Sequence, residues 1–217
     1  EIQKKENVHS FYACESGSRA WGFPSANSDY DVRFVYVRPK EWYLSIDVDI
    51  KRDVIEVPIS DKLDISGWDL RKALGLLRKS NPPLLEWFSS PIIYLRDAEI
   101  TDKFLSLMPL CYSPTACIYH YLNMARNNFR EYLKGEVVSV KKYFYVMRPI
   151  LAIKWIETKG SIVPMEFGEL VKELITDQEL RREIYSLIVR KRCGDELKRE
   201  PRIGPISLFI ENELKRV

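Results

Sequence analysis

The first hundred residues carry short apolar runs separated by polar turns. Val8 to Glu15 (VHSFYACE) and Asp31 to Val37 (DVRFVYV) are rich in β-branched and aromatic residues, the signature of half-buried strands. Between them, GSRAWGFPSANSD is rich in Gly, Ser, Pro and Asn and predicts a tight turn, a short helix and a returning loop. Val54 to Ile59 and Lys62 to Ile65 predict further strands, interrupted by Pro58, Ser60 and Asp61, with Gly67 as a turn. From Trp68 the period changes. Leu70, Ala73, Leu74 and Leu77 fall on one helical face with Arg and Lys opposite, until Asn81-Pro82-Pro83 stops the helix. LLEWFSS predicts a second short helix and Pro91 to Leu95 a strand.

Beyond that strand the pattern turns helical. Helices are predicted over Pro114 to Lys134, Val138 to Thr158 with a kink at Pro149, Pro164 to Thr176, Asp177 to about Lys191, and Ile206 to Lys215. Gly135, Gly160 and Gly204 punctuate them. The shift of pattern between residues 95 and 113 predicts an α+β protein: a small α/β lobe over residues 1–100 and an α-helical lobe over 101–217.

Composition narrows the class. With 46% hydrophobic and 30% charged residues and a formal charge of +3, the chain reads as a globular protein and not as a disordered, collagen-like or coiled-coil one. The longest apolar runs, such as Tyr143 to Met147, fall far short of the ~20 residues of a membrane-spanning helix, so no membrane partner is expected. Cys14, Cys111, Cys117 and Cys193 form no C-x-x-C pair and His9 and His120 are the two histidines, so free thiols in a reducing cytoplasm are expected, without zinc or disulfides. The chain starts at Glu1, and EIQKKENV reads like the back half of a helix, so a short preceding stretch is expected.

One constellation carries chemistry. Gly17-Ser18 follows a predicted strand and opens a predicted helix; ten residues separate Ser18 from Asp29, and Asp31 comes two further on, so strand alternation points both carboxylates to one face. Two carboxylates that close repel unless a cation sits between them, and a hard divalent ion such as Mg²⁺ suits oxygen ligands. The Gly-Ser turn offers backbone N–H groups and a hydroxyl to an anion, most naturally a triphosphate.

Strand, Gly-Ser, helix, then Asp-x-Asp on a strand resembles the signature of the polymerase-beta nucleotidyltransferase superfamily, which implies a mixed sheet flanked by helices. That pattern also uses a third carboxylate on a later strand, and Leu63-Asp64-Ile65 fits it. ESGSRAWGFPSANSDYDVRFVYVRP, EWYLSI and DISGWDLRKALGLLRKSNPPLLEWFSSPIIY further resemble the YcgL-like predicted nucleotidyltransferases, some of them associated with RNA ligases and proposed for RNA repair. The resemblance implies transfer of NMP from an NTP to an acceptor hydroxyl with release of pyrophosphate. Asp29, Asp31 and Asp64 would hold two Mg²⁺ ions, or Mn²⁺, while Gly17, Ser18 and Arg19 would contact the nucleotide's phosphates. The implied acceptor is tRNA or a damaged RNA end. A protein acceptor, as in AMPylation, uses the same chemistry, and a non-catalytic nucleotide- or RNA-binding module is the alternative of another class; the complete carboxylate set favours an enzyme.

Other residues admit plainer readings. Asp69 competes with Asp64 but suits a helix cap, and Asp47, Asp49 and Asp53 read as a solvated cluster. Arg33 shares the face of Asp31 and suits either phosphate or an ion pair; Trp21 and Trp68 suit either base stacking or a core. From Tyr119 to Lys154 seven basic residues interleave with seven aromatic ones, which suits nucleic acid. The +3 is a cancellation: residues 1–110 hold 15 basic and 17 acidic side chains, net −2, and residues 111–217 hold 19 and 14, net +5.

Overall fold

The structure, a computed structural model, describes residues 1–194 and 198–217. They form two compact units, one of residues 1–20 and 29–112 and the other of residues 21–28 and 113–217. The break falls after Tyr112 and not near residue 100, because the helix that follows the last strand of the first unit packs there: Phe104 stacks on Phe88 at 4.5 Å and meets Phe11 at 6.5 Å. Trp21–Ser28 also leaves the lobe it was expected to join. Phe23 stacks on Phe144 at 4.5 Å and sets its edge to Phe167, which anchors that loop in the second unit.

The first unit is built on strands β1 (His9–Glu15), β2 (Tyr30–Val37), β3 (Val54–Ser60), β4 (Leu63–Asp69) and β5 (Ile93–Arg96), in the order β3-β4-β2-β1-β5. β2 and β4 are parallel and every other pair antiparallel, so the sheet is mixed. β3 and β4 form a hairpin whose turn uses Asp61 at φ 51°, a left-handed position that Asp tolerates. Pro58 sits in edge strand β3, where a missing N–H costs least. Gly67, expected to mark a turn, lies inside β4: a Cβ there would meet Phe34 Cζ at 2.3 Å, so glycine makes room for the ring. One sheet face buries Val8, Ala13, Phe34, Tyr36 and Ile55. Helices α1 (Ile2–Glu6), α2 (Gly17–Ala20), α3 (Lys40–Tyr43), α4 (Leu70–Arg78), α5 (Pro82–Phe88) and α6 (Ala98–Cys111) complete the unit. α4 and α5 are capped by the side chains of Asp69 and Asn81, and α5 takes in as its first turn the two prolines expected to precede it.

The second unit is mainly helical: α7 (Pro114–Tyr132), α8 (Lys142–Lys159), α9 (Phe167–Leu174), α10 (Gln178–Arg192) and α11 (Gly204–Arg216). α8 contains Pro149 and is buried almost all round, as a central helix must be. It begins at Lys142 and not at Val138, because β6 (Val137–Ser139) pairs with β7 (Arg199–Pro201) and draws that segment into a ribbon. Among the described residues no helix is long and apolar enough to cross a membrane.

Candidate active site

The register of β2 on β4 decides which side chains meet. In this parallel pair Asp31 lies opposite Asp64 and Arg33 opposite Ser66. Opposite residues of parallel strands project to the same side, and alternation adds Arg33 to the side of Asp31. Two carboxylates thus stand next to each other, distant in sequence and adjacent in the sheet. Arg33 bridges them: its Nη2 lies 3.3 Å from Asp31 Oδ1 and 2.8 Å from Asp64 Oδ2, and its Nη1 donates to the carbonyls of Val32 and Asp64 at 3.1 Å. The ion pair anticipated for Arg33 is formed, and it includes both aspartates.

The turn after β1 presses against Asp31. Gly17 has φ +60°, and a Cβ there would stand 2.1 Å from Asp31 Oδ2. The carboxylate occupies the volume a side chain would need, so glycine alone fits on both counts. Ser16 N–H donates to the Asp31 carbonyl at 2.8 Å, tying the turn to β2. Ser18 follows on α2, whose four residues give little dipole, so an anion there would rely on the turn's own N–H groups and the Ser18 hydroxyl.

Asp29 stands just before β2 and is exposed. Its carbonyl accepts from Arg19 Nε at 3.0 Å, and the Arg19 guanidinium lies 3.7 Å from the centre of the Tyr30 ring. Arg19, expected at phosphate, thus braces the segment that carries Asp29. Burial lifts the Asp31 carboxyl above the usual range; Arg33 opposes this, while Glu15, Asp64 and Asp29 push it further up.

Glu15 is a site residue that the sequence reading missed. It is fully buried at the end of β1, accepts the Asp31 N–H at 2.8 Å and the Tyr94 hydroxyl, and so fixes the backbone of Asp31. Its sequence signal is a single acid closing the apolar run FYAC immediately before Ser16-Gly17.

The competing acids are engaged elsewhere. Asp69 is buried, caps α4 through the Arg71 N–H at 2.8 Å and accepts the Tyr43 hydroxyl at 2.8 Å. Asp47 pairs with Lys51 at 3.2 Å, Asp53 with Lys72 at 3.0 Å, and Asp49 with Arg71. Trp68 stacks on Trp87 at 3.8 Å, and Trp21 sets its edge to Tyr145 in the second unit. An open cavity of about 550 Å³ adjoins Arg33 and Asp64, walled by Trp68, Trp87, Arg52 and Glu56.

The chemistry of the donor set suits a divalent cation: hard carboxylate oxygens converge on one point, with Asp29 acting on the same charge. Among the described residues no three acids, histidines or cysteines stand ready-made around a metal. Asp31 and Asp64 are the pair brought together, and the guanidinium of Arg33 occupies the position between them. A cation placed between Asp31 and Asp64 would compete with Arg33 for the same oxygens.

The profile of RlaP, the RNA repair pathway DNA polymerase beta family, matches residues 1–217. "Uncharacterized protein YcgL" of Bacillus subtilis (strain 168) is 55% identical over 216 residues, covering 100% of this chain and 82% of that protein. The crystal structure of a nucleotidyltransferase-like protein from Exiguobacterium sibiricum 255-15 aligns with 99% of this chain and 72% of that one, at 10% identity and a TM-score of 0.33, too loosely to bear on fold or chemistry.

Proposed function

Because the chain belongs to the RNA repair pathway DNA polymerase beta family, we propose that it is a metal-dependent nucleotidyltransferase that moves an NMP from an NTP to the terminal hydroxyl of an RNA. The observation that carries this reading is the pairing of Asp31 with Asp64 across parallel strands, beside a glycine turn shaped around the Asp31 carboxylate.

In this reading Asp29, Asp31 and Asp64 would hold two Mg²⁺ or Mn²⁺ ions, which when bound would supply Lewis-acid stabilisation of the phosphates and lower the pKa of the acceptor hydroxyl. Gly17 and Ser18 offer backbone N–H groups and a hydroxyl to the β and γ phosphates, stabilising charge as pyrophosphate departs. The acceptor oxygen bonds to the α-phosphorus, the bond to the β-phosphate oxygen breaks, and the carboxylate of Asp64 takes the acceptor's proton. Arg33 swings from the two aspartates to the phosphates, so one guanidinium balances the acids at rest and the substrate in action. The cavity beside Trp68 and Trp87 receives the nucleoside. Glu15 positions Asp31 without touching substrate. The thiols of Cys14, Cys111 and Cys193 suit a reducing cytoplasm.

The test is transfer of label from each NTP, carried at the α-phosphate, in Mg²⁺ or Mn²⁺ with pools of tRNA, cleaved RNA and cell protein. Label in RNA is expected. Label in protein alone would replace the RNA acceptor with a protein one, and binding without transfer would replace the enzyme with a binding module.

A further inference from the structure

Packing of the second unit sorts the basic residues between Tyr119 and Lys154. Arg148 is buried at 3% exposure, donates to the carbonyls of Pro164 and Met165, and lies 5.1 Å from the centre of the Trp21 ring. Lys154 bonds Glu213 at 2.7 Å, and Lys142 stands over the rings of Tyr132 and Tyr145 at 4.2 and 4.6 Å. These three serve the fold. Arg126, Arg130 and Lys134 are exposed and follow one another at four-residue intervals along one face of α7 and its C-terminal end.

That face lines an open groove of about 640 Å³ against α11, which contributes Leu214 and Lys215. Asn123, Asn127 and Phe129 complete the α7 side. Glu211 is the one acid on its wall, and it is already paired with Arg202. Arg126, Lys134 and Lys215 make no ion pair with any described carboxylate. Asn127 accepts from Arg130, which holds that guanidinium in place before any ligand arrives.

We infer that this α7–α11 groove binds single-stranded RNA through its phosphates, which deepens the reading of an RNA acceptor and rests on it. Four cations against one neutralised acid call for a polyanion. The four-residue repeat rises about 6 Å per step, close to the spacing of successive phosphates on an extended strand. Phe129 offers a ring for base stacking and the two asparagines offer amides to base edges, which a lipid headgroup would not use. A concave groove also fits a strand better than a flat bilayer.

The experiment is fluorescence anisotropy of a short, unstructured, labelled RNA with the full chain, between about 50 and 200 mM salt. Arg126→Gln/Arg130→Gln is expected to bind on the order of 10-fold more weakly at the low-salt end, with a salt slope shallower by about 1.4, two single-strand contacts' worth. Arg126→Lys/Arg130→Lys should keep the slope, and Lys103→Gln, on the exposed surface of α6, should change nothing. All of these exposed substitutions should leave the thermal melt in place. Wild-type affinity and slope in the Gln pair would overturn the groove while leaving nucleotidyl transfer to RNA standing. Binding to anionic phosphatidylglycerol vesicles without binding to RNA would overturn it too, and label carried into protein in the transfer assay would remove the RNA acceptor on which it rests.

Discussion

Arg33 is the residue on which the resting site turns. It is mostly buried, and its guanidinium satisfies Asp31 and Asp64 at once. Arg33→Gln therefore leaves two adjacent carboxylates without a counter-charge. In EDTA the variant should lose about 1–3 kcal/mol of stability, the usual cost of unpairing a partly buried charge. Added Mg²⁺ should raise its Tm by more than it raises that of the wild type, because the competitor for the same oxygens is gone; equal shifts in differential scanning fluorimetry would show that the ion binds elsewhere. Asp31 gives the complementary sign. Its carboxyl is held above the usual range, chiefly by burial, so the folded chain binds that proton more tightly than the unfolded one. Stability from this group is full at acid pH and is lost as pH rises through the carboxylate range. Without metal, Asp31→Asn should melt above wild type at about pH 7, and the gap should close towards about pH 4. Thiol chemistry offers a further check, since burial pushes the Cys14 thiol up to about 12 and Cys193 is exposed. Titration with a chromogenic disulfide at about pH 8 should modify Cys193 first and Cys14 only on unfolding.

At the scale of elements, the glycine turn and the Trp21–Ser28 loop carry the heaviest constraints. Gly17→Ala places a methyl in the volume of the Asp31 carboxylate at a positive φ, so transfer should fall to background and stability by about 1–3 kcal/mol. Wild-type transfer from this variant would remove the turn from the site. Phe23→Ala strips an aromatic anchor that is 3% exposed between Phe144 and Phe167, and should cost about 3–5 kcal/mol in urea denaturation. The sequence reading found the strands of the sheet and most helices, because apolar periodicity and Pro or Gly punctuation are local signals. It missed what depends on distant partners. Val137–Ser139 became a strand because Arg199–Pro201 lies beside it, and Gly67 sits within a strand because Phe34 needs its space. Asp31 and Asp64 were legible as residue types in a motif. Their side-by-side placement was not, since register in a parallel pair is set by the whole sheet, and Glu15 escaped notice for the same reason.

Across the whole molecule, the charge split separates two kinds of chemistry. Acidic side chains outnumber basic ones in the first unit and the basic surplus lies in the second, so a near-neutral sum hides two units of opposite net charge. The claim at the centre is that Asp31 and Asp64 act together in nucleotidyl transfer. The direct measurement is the rate at which α-labelled NMP enters RNA in Mg²⁺, compared for wild type, Asp31→Asn and Asp64→Asn at equal folded concentration. Transfer by the wild type and its loss to background in both variants is the predicted result; undiminished transfer in either variant would contradict it.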